Sequence, residues 1–155
     1  MLLMGICNPT GEKDTYNGLY LTESELSRVV RDSKMRGIPV KTEHSGSEVG
    51  RVLTSFLDAD GNLNCVMELS KSSLPACLAQ GFVRDGLALD LSLGYTVDIQ
   101  NTDNNLQAME KKIVEVSLVR KGARKGCHIT AYQDEGRDVV FKGQDAWVTF
   151  DMCIS

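Results

Sequence analysis

The sequence predicts a mainly β protein with a few helices, of the α+β class: six to eight strands in a closed, mostly antiparallel β-barrel with helices packed around it. Three observations carry this. Short apolar or alternating runs recur between clusters of turn residues, and only two segments have helical spacing. The runs are also joined by tight turns, which leave few helical crossovers of the kind parallel pairing needs.

The opening Met1–Cys7 is apolar and reads as a first core strand; it lacks a cationic n-region and is too short for a signal peptide or a membrane span. Residues 8–18 are rich in turn formers (Asn8, Pro9, Gly11, Asn17, Gly18). Thr22-Glu23-Ser24-Glu25 is a capping-box signature, and Leu26, Val29 and Val30 then share one helical face. Gly37 and Pro39 are the stop signals for that helix. Residues 38–41 and 48–57 read as strands, and Asp60-Gly61 turns the chain into a partner strand over 62–69.

Ser72 to Arg84 reads as a second helix, with Pro75 in its first turn and Gly86 beyond its end. Over residues 87–97, Leu87, Leu89, Leu91 and Leu93 alternate with Ala88, Asp90, Ser92 and Gly94, the pattern of a half-buried strand with a small, polar outer face. A polar loop over 100–107 leads to a strand over 111–119, and residues 127–132 form another. The tail adds strand-like pieces at Val139–Phe141 and Trp147–Phe150.

With 155 residues and no repeat, linker or low-complexity tract, the chain reads as one domain able to build a core without metal or disulfide staples. A formal charge of −4 argues against a dedicated nucleic-acid binder, and no run of 18 apolar residues points to a membrane. Five cysteines, odd in number and with no CxxC pair, fit reduced and mostly buried thiols. No cofactor or metal is called for.

Four places can carry chemistry. His44, one of only two histidines, sits in the polar stretch Lys41–Gly50 between two strands. An accessible histidine there can act as a general base, although a plain surface histidine has the same local sequence. Ser92 stands mid-strand on the polar face, with Gly94 on the same face leaving open space for a substrate carbonyl. A solvated surface serine is the bland alternative. Glu115 interrupts an apolar strand: with Val114, Val116 and Leu118 inward, Glu115 and Ser117 share the other face. There Glu115 either orients an imidazole or pairs with Lys111, Lys112 or Arg120 in solvent. Arg120–Gly126, with Gly122 and Gly126 among its basic residues, reads either as a nuclear-localisation or phosphate-binding run or as a tight loop that aims amides at an oxyanion.

Taken in order, these segments resemble the herpesvirus maturational protease family, the assemblins. Gly18-Leu19-Tyr20-Leu21-Thr22 matches the family's helix start, and Pro39–His44 followed by Glu48–Leu53 matches its histidine block. Leu91-Ser92-Leu93-Gly94 resembles its nucleophile strand. In the third block Val116, Leu118, Gly122 and Arg124 fall in register, but Glu115 replaces the family's second histidine. Glu115-Val116-Ser117-Leu118-Val119 is similar instead to the corresponding string of the tailed-phage prohead proteases, which use a Ser-His-acid triad.

The resemblance implies a serine endopeptidase with Ser92 as nucleophile, His44 as base and Glu115 as orienting acid. It also implies an oxyanion site at Gly122–Arg124, with the Ala123 amide and the Arg124 guanidinium acting through water. The expected substrate is the viral scaffold (assembly) protein, cleaved inside the assembling capsid in the host nucleus by a homodimer. Residues 133–155 do not read as the long helices that build the assemblin dimer. His128 is the rival third member, and a non-catalytic barrel that binds capsid or scaffold is the rival function.

Overall fold

The computed structural model describes residues 1–11, 19–87, 90–97, 110–120 and 126–141. The elements run β1 (Leu2–Asn8), α1 (Glu23–Arg31), β2 (Pro39–Thr42), β3 (Ser45–Leu57), β4 (Leu63–Leu69), α2 (Leu74–Arg84), β5 (Asp90–Val97), β6 (Lys111–Val119), β7 (Ile129–Asp134) and β8 (Arg137–Val140). The strands expected at 62–69 and 111–119 agree with β4 and β6 to within a residue. The piece expected at Trp147–Phe150 and the loop 100–107 lie outside the described residues.

Both helices start where the sequence signals them. Thr22 accepts from the Glu25 N–H while the Glu25 carboxylate accepts from the Thr22 N–H, so two of the orphan donors of α1 are satisfied. Ser73 caps α2 by accepting from the Ala76 N–H, with Pro75 in the first turn. α1 stops earlier than Gly37: Asp32 is its C-cap and Ser33 turns to φ 49°. The chain then winds through turns before Pro39 opens β2.

The strands form one eight-stranded sheet in the order β5-β6-β2-β3-β4-β1-β7-β8. It is mixed, because β2 and β6 run parallel while the other neighbours are antiparallel. It is also open, so the expected closed antiparallel barrel is corrected. β7 has β1 on one edge and β8 on the other, so β5 cannot pair along β7, and among the described residues β5 does not pair with the end strand β8 either. Among the described residues, the β5 end of the sheet touches the far side just before β7, at an isolated bridge between Asp90 and His128, where the Leu91 N–H donates to the Cys127 carbonyl at 3.0 Å. Gly5 permits this approach: a Cβ there would stand 2.5 Å from the His128 carbonyl oxygen and 2.6 Å from Leu91 Cδ1.

The main core forms where Leu3, Val40, Val49, Leu63, Met67, Leu91, Val116 and Leu118 of the sheet are buried with Leu21, Leu26 and Met35. Each such side chain contributes roughly 1.5–3 kcal/mol on leaving water. α1 and α2 both lie against β3. α2 buries Ala76, Ala79 and Val83 but leaves Leu74, Leu78 and Phe82 exposed.

One strand departs from simple alternation. Gly94 pairs with Glu115 but Tyr95 pairs with Ile113, so Val114 is an extra residue, a β-bulge in β6. Val114 is therefore exposed, not in the core as expected, and the bulge turns both Ile113 and Val116 inward. It also carries Lys111 to the inner side, where its ammonium meets the Glu25 carboxylate at 3.0 Å.

Candidate active site

The residues singled out for chemistry stand on three neighbouring pieces of backbone. Ser92 lies on β5 and pairs with Ser117 on β6; Glu115 lies two residues along the same face, across from Gly94. His44 is supplied by the two-residue hairpin turn between β2 and β3. The parallel pairing of Val40, Lys41 and Thr42 with Val116, Ser117 and Leu118 delivers that turn to the end of β6.

The turn has both central residues, Glu43 and His44, at positive φ (50° and 61°), as a type I′ turn requires. Left-handed backbone costs non-glycine residues roughly 1–3 kcal/mol each. Bonds to β6 hold it: the Glu43 N–H donates to the Leu118 carbonyl at 3.1 Å, and the His44 N–H donates to Ser117 Oγ at 2.9 Å. The Glu43 carboxylate in turn accepts from the Arg120 N–H at 3.0 Å, tying the turn to the chain that leaves β6.

The side chains form a relay. Ser92 Oγ lies 2.8 Å from His44 Nε2, and His44 Nδ1 is hydrogen-bonded to Glu115 Oε1. An ionised carboxylate only accepts, so Nδ1 carries the ring proton and Nε2 keeps its lone pair for the serine hydroxyl. Glu115 Oε2 is engaged as well, accepting from Ser117 Oγ at 2.7 Å. Exposure falls along the relay, from 44% for the His44 side chain to 10% for Glu115, with Ser117 fully buried. The histidine is thus open to solvent, while the Glu115 carboxylate behind it is largely kept from water.

Two sequence expectations change here. Gly94 does not leave open space in front of Ser92, because a Cβ at position 94 would overlap the Glu115 carboxylate. The glycine makes room for the acid instead. The sequence places Ser117 on the face it shares with Glu115, and that spacing of two is the available signal for a role in the site. His128 is not the partner of His44 Nδ1; it lies at the other edge of β5, where its carbonyl accepts from the Ile6 N–H at 2.9 Å. Gly122, Ala123 and Arg124 lie outside the described residues.

Where β6 ends, a groove of about 620 Å³ opens between Glu43, Val119 and Arg120 on one side and Leu78, Phe82 and Leu87 on the other. Among the described residues, no group of three or more His, Cys, Asp or Glu side chains could hold a metal ion. No helix there is long and apolar enough to cross a membrane.

No family model matches the chain, and no curated protein matches it either. Solved structures do. The protease of Kaposi's sarcoma-associated herpesvirus in complex with a hexapeptide phosphonate inhibitor superposes with a TM-score of 0.57 at 16% identity, over 86% of this chain and 65% of that one. The same enzyme in complex with a dimer disruptor gives 0.54 at 17% identity, over 83% of this chain and 74% of that one. The chain thus spans just under two thirds of the first of these, and what it shares with Kaposi's sarcoma-associated herpesvirus protease is the fold.

Proposed function

We propose that this chain is a serine endopeptidase of the herpesvirus maturational type, working through a Ser92–His44–Glu115 triad. The observation that carries the reading is the continuous relay from Ser92 Oγ to His44 Nε2 at 2.8 Å and from His44 Nδ1 to Glu115. The shared fold with a herpesvirus protease supports it independently.

In the proposed reaction His44 Nε2 takes the hydroxyl proton as Ser92 Oγ attacks the scissile carbonyl. The imidazolium is stabilised by Glu115 and then gives its proton to the leaving amine. Water, deprotonated by the same Nε2, hydrolyses the acyl-serine and frees the enzyme. By the resemblance, the Ala123 amide and the Arg124 guanidinium through water hold the oxyanion, within the segment Gly122–Arg124. The same proposal takes the viral scaffold protein as substrate, a homodimer as the active form and the capsid assembling in the host nucleus as the place. The hexapeptide inhibitor and the dimer disruptor bound to the herpesvirus enzyme support the peptide substrate and the dimer.

The rival reading, a non-catalytic scaffold-binding module, expects no mutual reach among the three side chains, and their hydrogen bonds speak against it. A fluorophosphonate probe separates the two. Labelling at Ser92, located by peptide mass spectrometry and lost in His44→Ala, is expected. An unlabelled wild-type protein, across concentrations that favour dimers, overturns the endopeptidase reading.

A further inference from the structure

We infer that Ser117 is a positioning residue of this site, one hydroxyl that sets both the direction of the acid and the backbone of the base. The inference rests on the endopeptidase reading and adds to it a residue that touches none of the reacting atoms.

Ser117 Oγ is fully buried between β5 and the β2–β3 turn, and both of its hydrogen bonds go to the triad. As donor it reaches Glu115 Oε2 at 2.7 Å; as acceptor it takes the His44 N–H at 2.9 Å. A carboxylate with one oxygen free can swing about its last torsion, which is broad and weakly held. With Oε2 anchored to a hydroxyl on its own strand, Oε1 is left pointing at His44 Nδ1. The second bond acts on the other side of that contact. His44 sits at φ 61°, a conformation that an imidazole-bearing residue keeps only when its surroundings over-determine it.

A serine suits this place where other residues do not. An alanine would leave the part-buried His44 amide without its acceptor and Oε2 without its donor. A cysteine would match the shape but is a weak donor and acceptor. Because Ser117 also pairs with Ser92 across the sheet, one row of the sheet fixes the nucleophile's strand, the acid and the turn that carries the base.

The test compares Ser117→Ala, Ser117→Cys and Ser117→Thr with wild type. It follows three readouts: the rate of fluorophosphonate labelling at Ser92, the melting temperature, and the downfield imidazole N–H resonance of His44 in proton NMR. Labelling in Ser117→Ala and Ser117→Cys is expected to slow by roughly 10- to 100-fold, the scale of a small misplacement of catalytic groups. The His44 resonance should broaden or move upfield in both, and Ser117→Thr, which keeps the hydroxyl, should recover both signals. Wild-type labelling rates in folded Ser117→Ala and Ser117→Cys overturn the inference while leaving the endopeptidase reading standing. An unlabelled wild type overturns the endopeptidase reading, and the NMR signal then decides whether Ser117 positions Glu115. If Ser117→Thr does not fold, an unchanged His44 resonance in the cysteine variant is by itself enough to reject the role.

Discussion

The carboxylate of Glu115 occupies the space in which a side chain at Gly94 would stand, one strand away in a direct cross-strand pair. The acid and the glycine are a matched set, and enlarging the glycine must push the acid. Gly94→Ala is therefore expected to displace Glu115 from His44 and slow Ser92 labelling by roughly 100-fold. Far-UV circular dichroism should stay that of the wild type. A Gly94→Ala variant that labels at the wild-type rate would show that Glu115 does not need this position.

The three members of the relay should not be equal. Removing Ser92 or His44 abolishes the attacking pair, a loss on the order of 10⁶ in turnover, whereas removing only the orienting acid costs roughly 10⁴. Glu115→Ala should fall between the wild type and His44→Ala when peptide hydrolysis is followed at fixed pH. Equal turnover of Glu115→Ala and wild type would remove Glu115 from the triad.

Away from the site, the ion pair of Glu25 with Lys111 should dominate the cost of mutating α1. Lys111 has a side chain with no exposed surface, and Glu25 is also the third residue of the capping box. Losing one partner of a buried pair costs about 3–5 kcal/mol, against about 1 kcal/mol for a capping hydroxyl. Urea unfolding should thus find Glu25→Ala clearly less stable than Thr22→Ala. The double variant Glu25→Leu/Lys111→Met should regain most of the difference. Equal midpoints for Glu25→Ala and Thr22→Ala would mean that the pair contributes little.

The cysteines should separate by burial. Burial, followed by the neighbouring Cys65 thiol, pushes the Cys7 thiol well above its ordinary range, so Cys7 stays protonated and unreactive near neutral pH. Cys65 and Cys127 are buried as well, while Cys77 is exposed on α2. Brief treatment of the native protein with iodoacetamide should modify Cys77 and spare Cys7, Cys65 and Cys127 until the protein is unfolded. Modification of Cys7 at the rate of Cys77 in folded protein would contradict the buried core described above.

What the sequence makes legible is what local rules decide. Thr22 and Glu25 announce the start of α1 because both halves of the capping box lie within four residues. The bounds of β6 were readable because its apolar run ends at polar residues on both sides. The bulge at Val114 was not, since Ile113, Val114 and Val116 are apolar in either register and only the pairing with β5 selects one. The inward turn of Lys111 follows from that bulge, against the usual expectation for lysine. The openness of the sheet was equally hidden. It depends on β7 being occupied on both edges, one of them by a strand as short as Arg137–Val140. At the site, residue types pointed to Ser92, His44 and Glu115, but the jobs of Gly94 and Ser117 depend on contacts across strands that spacing alone does not encode.

The parallel pairing of β2 with β6 has a consequence for the order of events as the chain is made. His44 is separated from Glu115 by 71 positions and from Ser92 by 48, and the strand pairing that brings the turn to the acid closes a comparably long loop. Contacts of such long range carry a loop-closure cost before any of them is rewarded, and they form slowly. A ribosome that has released β1 through β5 has delivered the serine and the histidine but not the strand that holds the histidine's turn and supplies its carboxylate. The relay therefore arises as a late product of folding, complete only once β6 has emerged and docked.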